Sequence, residues 1–228
     1  MNAARDRIMA SVRDGLLRAV LPDATDDRAG RWEPPDPALP RDTLIEQFGR
    51  ALASLTGHLH RAASASVAAD IIAGVAASEG ATSYLSWDDE HLGCPGLLSI
   101  LESRGLPRVT YDVPGDPVER TRGTHELGGV GLGLTGAHAA LADCGAIVLV
   151  SGPGRGRLAS LLPPVHVAIV SERRMWPSLQ ALVRAEPDLL DAGSNVVVVA
   201  GPSRTADIEM TLTHGVHGPK HVHVILMP

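Results

Sequence analysis

The sequence predicts an α/β protein, a three-layer α/β/α sandwich built on a mostly parallel sheet. Near-continuous valine and isoleucine runs at residues 145–150, 165–170 and 195–200 are typical of strands buried on both faces of such a sheet. Helical patterns such as residues 176–184 lie between these runs, and this alternation places helices on both sides of the sheet. The composition agrees, because 44% of the 228 residues are hydrophobic and 20% are charged.

The first forty residues are predicted to form a helical arm outside the main domain. Apolar residues recur every three or four positions over residues 3–20, which indicates an amphipathic helix. The proline-rich stretch at residues 23–40 disfavours regular backbone hydrogen bonding, so we expect a linker there. The chain therefore divides into residues 1–40, a helix and linker, and residues 41–228, the α/β domain.

The other elements follow from periodicity and from local start and stop signals. Ser64 and Ser66 are candidate helix N-caps, and Gly105 follows a predicted helix end. Helices are expected at residues 44–55, 67–77, 95–104, 137–141, 176–184 and 206–213. Strands are expected at residues 81–86, 108–112, 129–134, 145–150, 165–170, 195–200 and 221–227, with a loop at 113–123.

The composition excludes several classes of function. A net charge of -6 and only six aromatic residues argue against a nucleic-acid-binding protein. Cys94 and Cys144 cannot form a disulfide framework or hold an iron–sulfur cluster by themselves. The longest apolar runs fall far short of the about 20 residues that span a membrane, and no signal-peptide pattern is visible. We therefore expect a cytoplasmic protein without a membrane span.

Gly131, Gly133 and Gly136 match a dinucleotide-binding fingerprint after a predicted strand. That fingerprint needs an acidic residue about 20 positions later to contact the ribose. The sequence there is Ser-Gly-Pro at residues 151–153. Close packing of a strand against neighbouring backbone explains these glycines better, and no cofactor is expected.

A glycine-rich loop with two arginines, residues 152–157, follows a strongly predicted strand. The guanidinium groups of Arg155 and Arg157 suit a carboxylate or a phosphate. Ligands of open α/β sheets bind at the carboxyl ends of strands, where this loop is expected. The loop is predicted either to bind an anion or to be merely mobile.

The sequence Gly-Pro-Ser-Arg-Thr at residues 201–205 predicts a second anion-binding segment. It follows a predicted strand and opens a predicted helix, whose free N–H groups attract anions. Ser203 and Thr205 add hydroxyls, and Arg204 adds a guanidinium. Helix capping explains the two hydroxyls equally well, but a cap does not need Arg204.

Four of the ten histidines lie near the end of the sequence: His214, His217, His221 and His223. Their spacing does not match known sets of metal ligands, and no His-Glu-x-x-His occurs, so no metal site is predicted. His217 is better explained as an acid–base group beside the anion site. His166, at the start of a predicted strand, is expected to be a half-buried structural histidine.

Several segments taken together resemble one protein family. They are Leu-Thr-Gly-Ala at 134–137, Ser-Leu-Leu-Pro-Pro-Val-His at 160–166, Gly-Pro-Ser-Arg-Thr-Ala-Asp-Ile-Glu at 201–209 and Gly-Val-His-Gly-Pro at 215–219. Their order is similar to that in the lactate-utilisation protein C family, which carries the LUD domain. The resemblance is dense from about residue 129 onward and weak before about residue 42.

The resemblance implies a fold similar to the sugar-phosphate isomerase and CoA-transferase superfamily. It also implies a role in L-lactate oxidation to pyruvate, beside partner proteins that carry iron–sulfur motifs. Two positions depart from the family pattern. His138 stands where an acidic residue is usual, and Cys144 stands where threonine is usual. Both departures lie next to the expected cleft and leave the identity of the ligand open.

Two sets of site residues follow from these arguments. The residues expected to bind the anion are Ser203, Arg204, Thr205, Arg157, Thr135 and Ser160. The residues expected to move protons or to orient the substrate are His217, Asp207 and Glu209.

Two classes of function stay open from the sequence. The first is an accessory subunit of an L-lactate oxidation system that works with iron–sulfur proteins. The second is a stand-alone enzyme of the isomerase/transferase-like fold that acts on a carboxylate, a phosphate or a CoA ester. Neither class requires a metal or a nucleic acid, and both are compatible with a homo-oligomer.

Overall fold

The structure is a computed structural model that describes residues 3–18, 39–111, 116–206, 212–214 and 218–228. Internal contacts divide the chain into two compact units, Met1–Pro34 and Pro35–Pro228. In the first unit, helix α1 (Ala3–Arg18) confirms the predicted amphipathic helix. Within the described ranges, no helix combines the length and the apolar character needed to cross a bilayer.

The second unit is a mixed α/β domain. Its helices are α2 (Arg41–Ser54), α3 (Ala65–Ser78), α4 (Leu97–Ser103), α5 (Pro117–Glu126), α6 (Leu158–Leu161) and α7 (Leu179–Ala185). Its strands are β1 (His58–Arg61), β2 (Tyr84–Ser86), β3 (Arg108–Val109), β4 (Leu132–Gly136), β5 (Ala139–Leu141), β6 (Ala146–Ser151), β7 (Val165–Ser171), β8 (Met175–Trp176), β9 (Asn195–Val199), β10 (Arg204–Ala206), β11 (Leu212–His214) and β12 (His221–Met227).

Six strands form a sheet in the order β1-β12-β7-β4-β2-β3, and each neighbouring pair is parallel. This confirms the predicted parallel sheet, in which the aliphatic strands β7 and β12 are almost entirely buried. The chain runs outward from β2 to β3, returns past β2 to β4, and continues through β7 to β12. The direction of progress therefore reverses between β2 and β4, and α/β sheets commonly bind ligands beside such a switch point.

Local signals account for several helix ends. The Ser64 hydroxyl accepts a hydrogen bond from the Val67 amide, which confirms the predicted N-cap of α3. Gly105, just after α4, has a φ of +82°, in the left-handed region that glycine tolerates. The predicted helix at 176–184 is shorter in the structure, because Met175 and Trp176 form β8 before α7 begins.

A second sheet of four strands, in the order β8-β5-β6-β9, was not expected from the sequence. Strand β6 pairs antiparallel with both β5 and β9, so its aliphatic run belongs to this smaller sheet. The predicted helix at residues 137–141 is wrong, since its Ala-Ala-Leu segment forms the fully buried β5. Strand β9 is an edge strand in this sheet and is partly exposed, whereas a strand buried on both faces was expected.

The predicted helix at residues 206–213 is also wrong. Strands β10 and β11 pair antiparallel, with Thr205 opposite Thr213, and residues 207–211 lie outside the described part of the chain. Threonines in cross-strand pairs favour a β-ladder over a helix.

The predicted loop at residues 113–123 contains the start of α5. Asp116 caps this helix, because one carboxylate oxygen accepts from the amides of Val118 and Glu119 at 2.9 and 3.0 Å. Pro117 occupies the first turn, where its missing N–H has no cost. The Asp-Pro pair is a helix-start signal, although the surrounding Pro, Gly and charged residues indicated a loop.

Candidate functional site

A cleft of about 390 Å³ opens where β2 and β3 end, and we call it the β2–β3 cleft. Its position beside the switch point is the one at which open α/β sheets bind ligands. The lining combines the ends of the two strands, the segment after β3, and the glycine-rich loop after β6. The lining residues are Leu85, Ser86, Asp88, Arg108, Val109, Thr110, Tyr111, Gly152, Gly154, Gly156, Arg157, Leu158 and Ala159.

Arg108 is held in a fixed orientation at the cleft. One terminal nitrogen donates to the carbonyl oxygens of Ser86 and Trp87, at 3.3 Å each. The same nitrogen donates to Oδ1 of Asp88 at 2.9 Å. A guanidinium that is oriented in advance binds a ligand with less loss of side-chain entropy.

The glycine-rich loop forms another wall of the cleft. Gly152 and Arg155 exchange two backbone hydrogen bonds, of 2.9 and 3.2 Å, around a tight turn in which Gly154 has a φ of +69°. The Gly154 carbonyl accepts from the Asp88 amide at 2.9 Å, and the Gly156 carbonyl accepts from the indole N–H of Trp87 at 3.0 Å. These bonds tie the loop to the residues that follow β2, which argues against a merely mobile loop, and anion binding by the loop stays a prediction.

Several polar atoms in and beside the cleft are buried without a hydrogen-bond partner among the described residues. They include Oγ of Ser86, Nε of Arg108 and Nε of Arg155. Buried donors are normally paired, since leaving one unpaired costs about 1–3 kcal/mol. These atoms are covered by protein and do not face the cleft, so the charge that a ligand would meet is that of the exposed Arg157 at the rim and of the partly exposed Arg108.

Three of the predicted anion-binding residues belong to this part of the sheet, and of these Arg157 lines the cleft. The Ser160 hydroxyl donates to the Arg157 carbonyl at 3.1 Å. The hydroxyl of Thr135 is fully buried, 2.9 Å from Nε2 of His166. The hydroxyls of Thr135 and Ser160 therefore already have protein partners, and a direct contact with an anion would compete with those bonds.

His166 is completely buried, whereas a half-buried position was expected. Burial lowers its pKa to about 4, so the ring is neutral at pH 7. Its Nδ1 has no partner among the described residues. The ring acts as the core partner of Thr135 across the β4–β7 pairing.

The segment at residues 201–205 lies at the amino ends of the parallel strands, whereas the cleft lies at their carboxyl ends. The Ser203 amide donates to the Pro219 carbonyl at 2.9 Å, just before β12 begins. The strands are parallel, so Ser203 lies at their amino ends while Arg157 lies at the carboxyl ends of β2 and β3. The structure thus separates two loops that were expected to reach one anion.

The remaining predicted site residues lie within that segment or after it. Arg204 and Thr205 lie on β10, so no helix begins there and the helix-terminus argument for an anion is wrong. Asp207, Glu209 and His217 lie outside the described residues.

A second cavity, of about 580 Å³, lies at the amino ends of β1 and β12. Beside it, the ring of His223 stacks on that of His58, with 4.7 Å between centroids, and lies 3.0 Å (Nδ1 to Nε2) from His60. Burial and, after it, the neighbouring histidines, His58 first, together lower the pKa of His223 to about 4. Burial likewise lowers the pKa of His60. The cavity is lined by Ala53, Thr56, Gly57, His58, Lys220 and His221.

His138 belongs to a half-buried cluster with Arg174 and Glu186. The ring Nε2 lies 2.6 Å from the Glu186 carboxylate, and Arg174 contacts the same carboxylate at 2.7 Å and 3.1 Å. The hydrogen bond from Arg174 is the main cause that lowers the pKa of Glu186, and the bond with His138 adds to it. Because Glu186 supplies a carboxylate beside His138, the cluster retains an acidic group despite the departure at position 138.

The described segments contain neither a cluster of metal-ligating side chains nor a cysteine with a lowered pKa. No group of three or more histidine, cysteine, aspartate or glutamate side chains there is placed to hold a metal ion. Cys94 is buried and Cys144 is exposed. Burial raises the pKa of the Cys94 thiol, and partial desolvation of the sulfur together with a hydrogen bond to Asp143 raises that of Cys144, which disfavours the reactive thiolate at both positions.

Sequence reasoning missed three residues that shape the cleft: Ser86, Asp88 and Arg108. One signal was available, since the polar run Trp-Asp-Asp-Glu-His begins directly after the predicted strand at 81–86. Arg108 stands at the start of a short predicted strand, and nothing in its local sequence indicates that β3 places it beside β2.

Comparisons with known proteins give relatives that share a name. Lactate utilization protein C of Geobacillus sp. (strain WCH70) is 30% identical over 158 residues, 67% of this chain and 65% of that protein. The protein of the same name from Halalkalibacterium halodurans is 34% identical over 143 residues, 61% of this chain and 60% of the relative. That from Exiguobacterium sp. is 42% identical over 100 residues, 42% and 44% of the two chains. The matched regions thus span less than two thirds of each of these relatives.

A solved structure supports the fold. The crystal structure of a DUF162 family protein from Deinococcus radiodurans superposes with a TM-score of 0.56 at 20% identity. The superposition covers 83% of this chain and 99% of that chain. A family model described as the LUD domain matches residues 45–227, which is most of the sequence. The resemblance found in the sequence motifs is therefore confirmed, and the protein belongs to the LUD domain family.

Proposed function

We propose that this protein is a cytoplasmic accessory subunit of an L-lactate oxidation system and that the β2–β3 cleft holds its anionic ligand. The family relation supports the metabolic context, because several relatives carry the name lactate utilization protein C. The observation that carries the site is the set of donors that line the cleft. Arg157 is exposed at the rim, and the Arg108 side chain, which is paired with Asp88, is 21% exposed.

A division of labour follows from the chemistry. Oxidation of L-lactate to pyruvate removes two electrons and two protons, and the electrons need an acceptor. This chain has two cysteines, too few for a cluster held by four thiolates. Iron–sulfur partner proteins would therefore accept the electrons, while this chain binds and orients an anion. Its guanidinium groups suit a carboxylate or a phosphate.

The segment at residues 201–205 is the second candidate for the anion site. Ser203, Arg204 and Thr205 would bind the anion there, with Asp207, Glu209 and His217 as proton carriers. The basic Lys220 and the neighbouring His221 line the adjacent amino-end cavity, which supports this alternative. It corresponds to a stand-alone enzyme that acts on a carboxylate, a phosphate or a CoA ester on an isomerase/transferase-like fold.

Affinity purification from the native host under anaerobic conditions tests the subunit role. We expect iron-containing proteins to co-purify and the eluate to oxidise L-lactate with an added electron acceptor. An iron-free, monodisperse preparation without lactate oxidation would contradict the subunit role and favour the stand-alone enzyme.

Charge-removing variants of the purified system locate the anion site. We expect Arg157→Met to lower lactate oxidation about tenfold or more, because a guanidinium–anion contact is lost. Arg50→Met is the matched control, since Arg50 is exposed on α2 and removes the same charge away from the cleft. A loss in Arg204→Ala with none in Arg157→Met would move the anion site to residues 201–205.

A further inference from the structure

The β2–β3 cleft is larger than a three-carbon acid requires. Its volume is about 390 Å³. Lactate has six non-hydrogen atoms, so at about 30 Å³ for each it fills at most roughly 180 Å³. More than half of the cleft would therefore stay filled with water if lactate alone were bound. Pockets of roughly 300–1,000 Å³ usually enclose ligands several times larger than lactate.

The cleft presents an anion-binding end. Arg157 is exposed at its rim, and Arg108 is fixed by three acceptors while 21% of its side chain stays exposed. Two guanidinium groups, one of them paired with Asp88, suit the several charged oxygens of a phosphate ester. The carbonyl oxygens of Gly154 and Gly156 accept hydrogen bonds from the Asp88 amide and the Trp87 indole, so their repulsion of a bound anion is reduced.

The cleft also contains an acceptor for hydroxyl groups. Oδ1 of Asp88 pairs with Arg108, and the side chain is 57% exposed, so its second oxygen is open to a ligand. Oδ2 lies beside Gly154, where a side-chain Cβ would approach it to 2.8 Å. Glycine at this position therefore keeps the carboxylate accessible. A carboxylate facing a sugar diol is a common way to recognise ribose.

The remaining walls suit a flat apolar group. Leu85, Val109 and Leu158 line the cleft together with the ring of Tyr111. The Tyr111 ring packs closely against Gly123 of α5, which fixes its plane. Aliphatic and aromatic walls of this kind bind a nucleobase by dispersion and stacking.

From these three features we propose that the β2–β3 cleft binds a nucleoside phosphate, with the phosphate on Arg108 and Arg157, the ribose on Asp88 and the base against Tyr111. The proposal rests on the cleft named under the proposed function and identifies the chemical class of its ligand. In a lactate oxidation system such a ligand would be a cofactor or an effector rather than lactate itself.

Isothermal titration of the full chain tests this proposal with AMP, ribose 5-phosphate, inorganic phosphate and L-lactate as probes. We expect AMP to bind at least about tenfold more tightly than the other three, because only AMP occupies the phosphate, ribose and base regions together. Arg157→Met should weaken AMP binding about tenfold, and Arg50→Met should leave it within about twofold. Unchanged melting temperatures would show that the variants remain folded.

Asp88→Asn isolates the ribose contact. This variant should weaken AMP more than 2′,3′-dideoxy-AMP, because the dideoxy ligand lacks the hydroxyls that Asp88 would accept. Equal losses for the two ligands would overturn the ribose assignment, since loosening of Arg108 would then explain both.

The outcomes separate this proposal from the proposed function. Tighter binding of L-lactate than of AMP, weakened by Arg157→Met, would overturn the nucleoside proposal and leave the lactate site standing. Ribose 5-phosphate binding as tightly as AMP would overturn the base contact. AMP binding without lactate oxidation in the purified system would support the nucleoside site and contradict the subunit role. No binding of any probe would refute the cleft as a ligand site in both proposals.

Discussion

Burial decides the protonation of single histidines in this protein. His166 and His223 are both held with a pKa near 4, against 6.5 for an exposed histidine, because the charged ring would lose its hydration. Their neighbours differ. His166 has the neutral hydroxyl of Thr135, whereas His223 lies among other histidines whose charges would repel its proton. Neither ring is therefore a cation at neutral pH.

The lowered pKa values of His166 and His223 predict that the folded protein is destabilised by acid. Between pH 6.5 and about 4 the unfolded chain binds protons at these two rings while the folded chain does not, so the free energy of unfolding falls as the pH falls through this window. Each ring contributes a loss of roughly 3 kcal/mol. His223→Gln cannot take up the proton and should show a shallower loss in urea titrations at pH 6.5, 5.5 and 4.5. The same slope in the variant and the wild type would contradict the assignment.

Glu186 has the opposite sign of pH dependence. Its pKa is lowered, chiefly by the hydrogen bond from Arg174, so its contribution to stability is present above pH 4.5 and is lost as the pH falls further. We expect Glu186→Gln to cost about 1 kcal/mol at pH 7, since the cluster is only half-buried. Glu172→Gln, which removes an ion pair with the exposed Arg61, is the comparison and should cost less. A difference between Glu186→Gln and the wild type that disappears by pH 6 would contradict this account.

At the scale of elements, the contact of α6 with β4 fixes the wall of the cleft. Gly133 faces α6 so closely that a Cβ there would overlap the carbonyl oxygen of Ala159. Ala159 and Leu158 also line the β2–β3 cleft. Gly131 and Gly136 are equally crowded, by Ala81 and by the His91 carbonyl oxygen, so close packing explains all three glycines that resembled a dinucleotide fingerprint.

A matched pair of glycine variants tests this contact. Gly133→Ala should cost at least about 2 kcal/mol of unfolding free energy and weaken ligand binding in the cleft, since α6 must shift. Gly128→Ala is the control, with no atom within 4 Å of its Cβ, and should change stability by less than about 0.5 kcal/mol. Equal stabilities of the two variants in denaturant titrations would show that α6 moves away freely.

The elements also show what local sequence can and cannot determine. The helices α2 and α3 and the strands β7 and β12 were predictable, because apolar periodicity and capping act within each segment. Strand β5 and the pair of β10 and β11 were missed although their partners lie close in sequence, because segments of three residues are too short to show a periodicity. Arg157 was found from its glycine-rich loop, but Arg108 and Ser86 needed the pairing of β2 with β3. Non-local pairing therefore decides most of the site.

At the scale of the whole α/β unit, the two predicted anion-binding loops lie at opposite ends of the parallel strands. The 152–157 loop meets the carboxyl ends of β2 and β3, and the 201–205 segment meets the amino ends of β7 and β12. Segments that resemble the LUD family occur at both ends of the strands. One anion site that uses both loops is therefore inconsistent with this topology.

Growth on L-lactate tests the central claim most directly. A host strain that lacks this chain would be complemented with the wild type, with Arg157→Met or with Arg50→Met, at equal protein levels. We expect the wild type and Arg50→Met to restore growth on L-lactate and Arg157→Met not to restore it, while all three strains grow equally on glucose. Full growth of the Arg157→Met strain on L-lactate would contradict the role of the β2–β3 cleft.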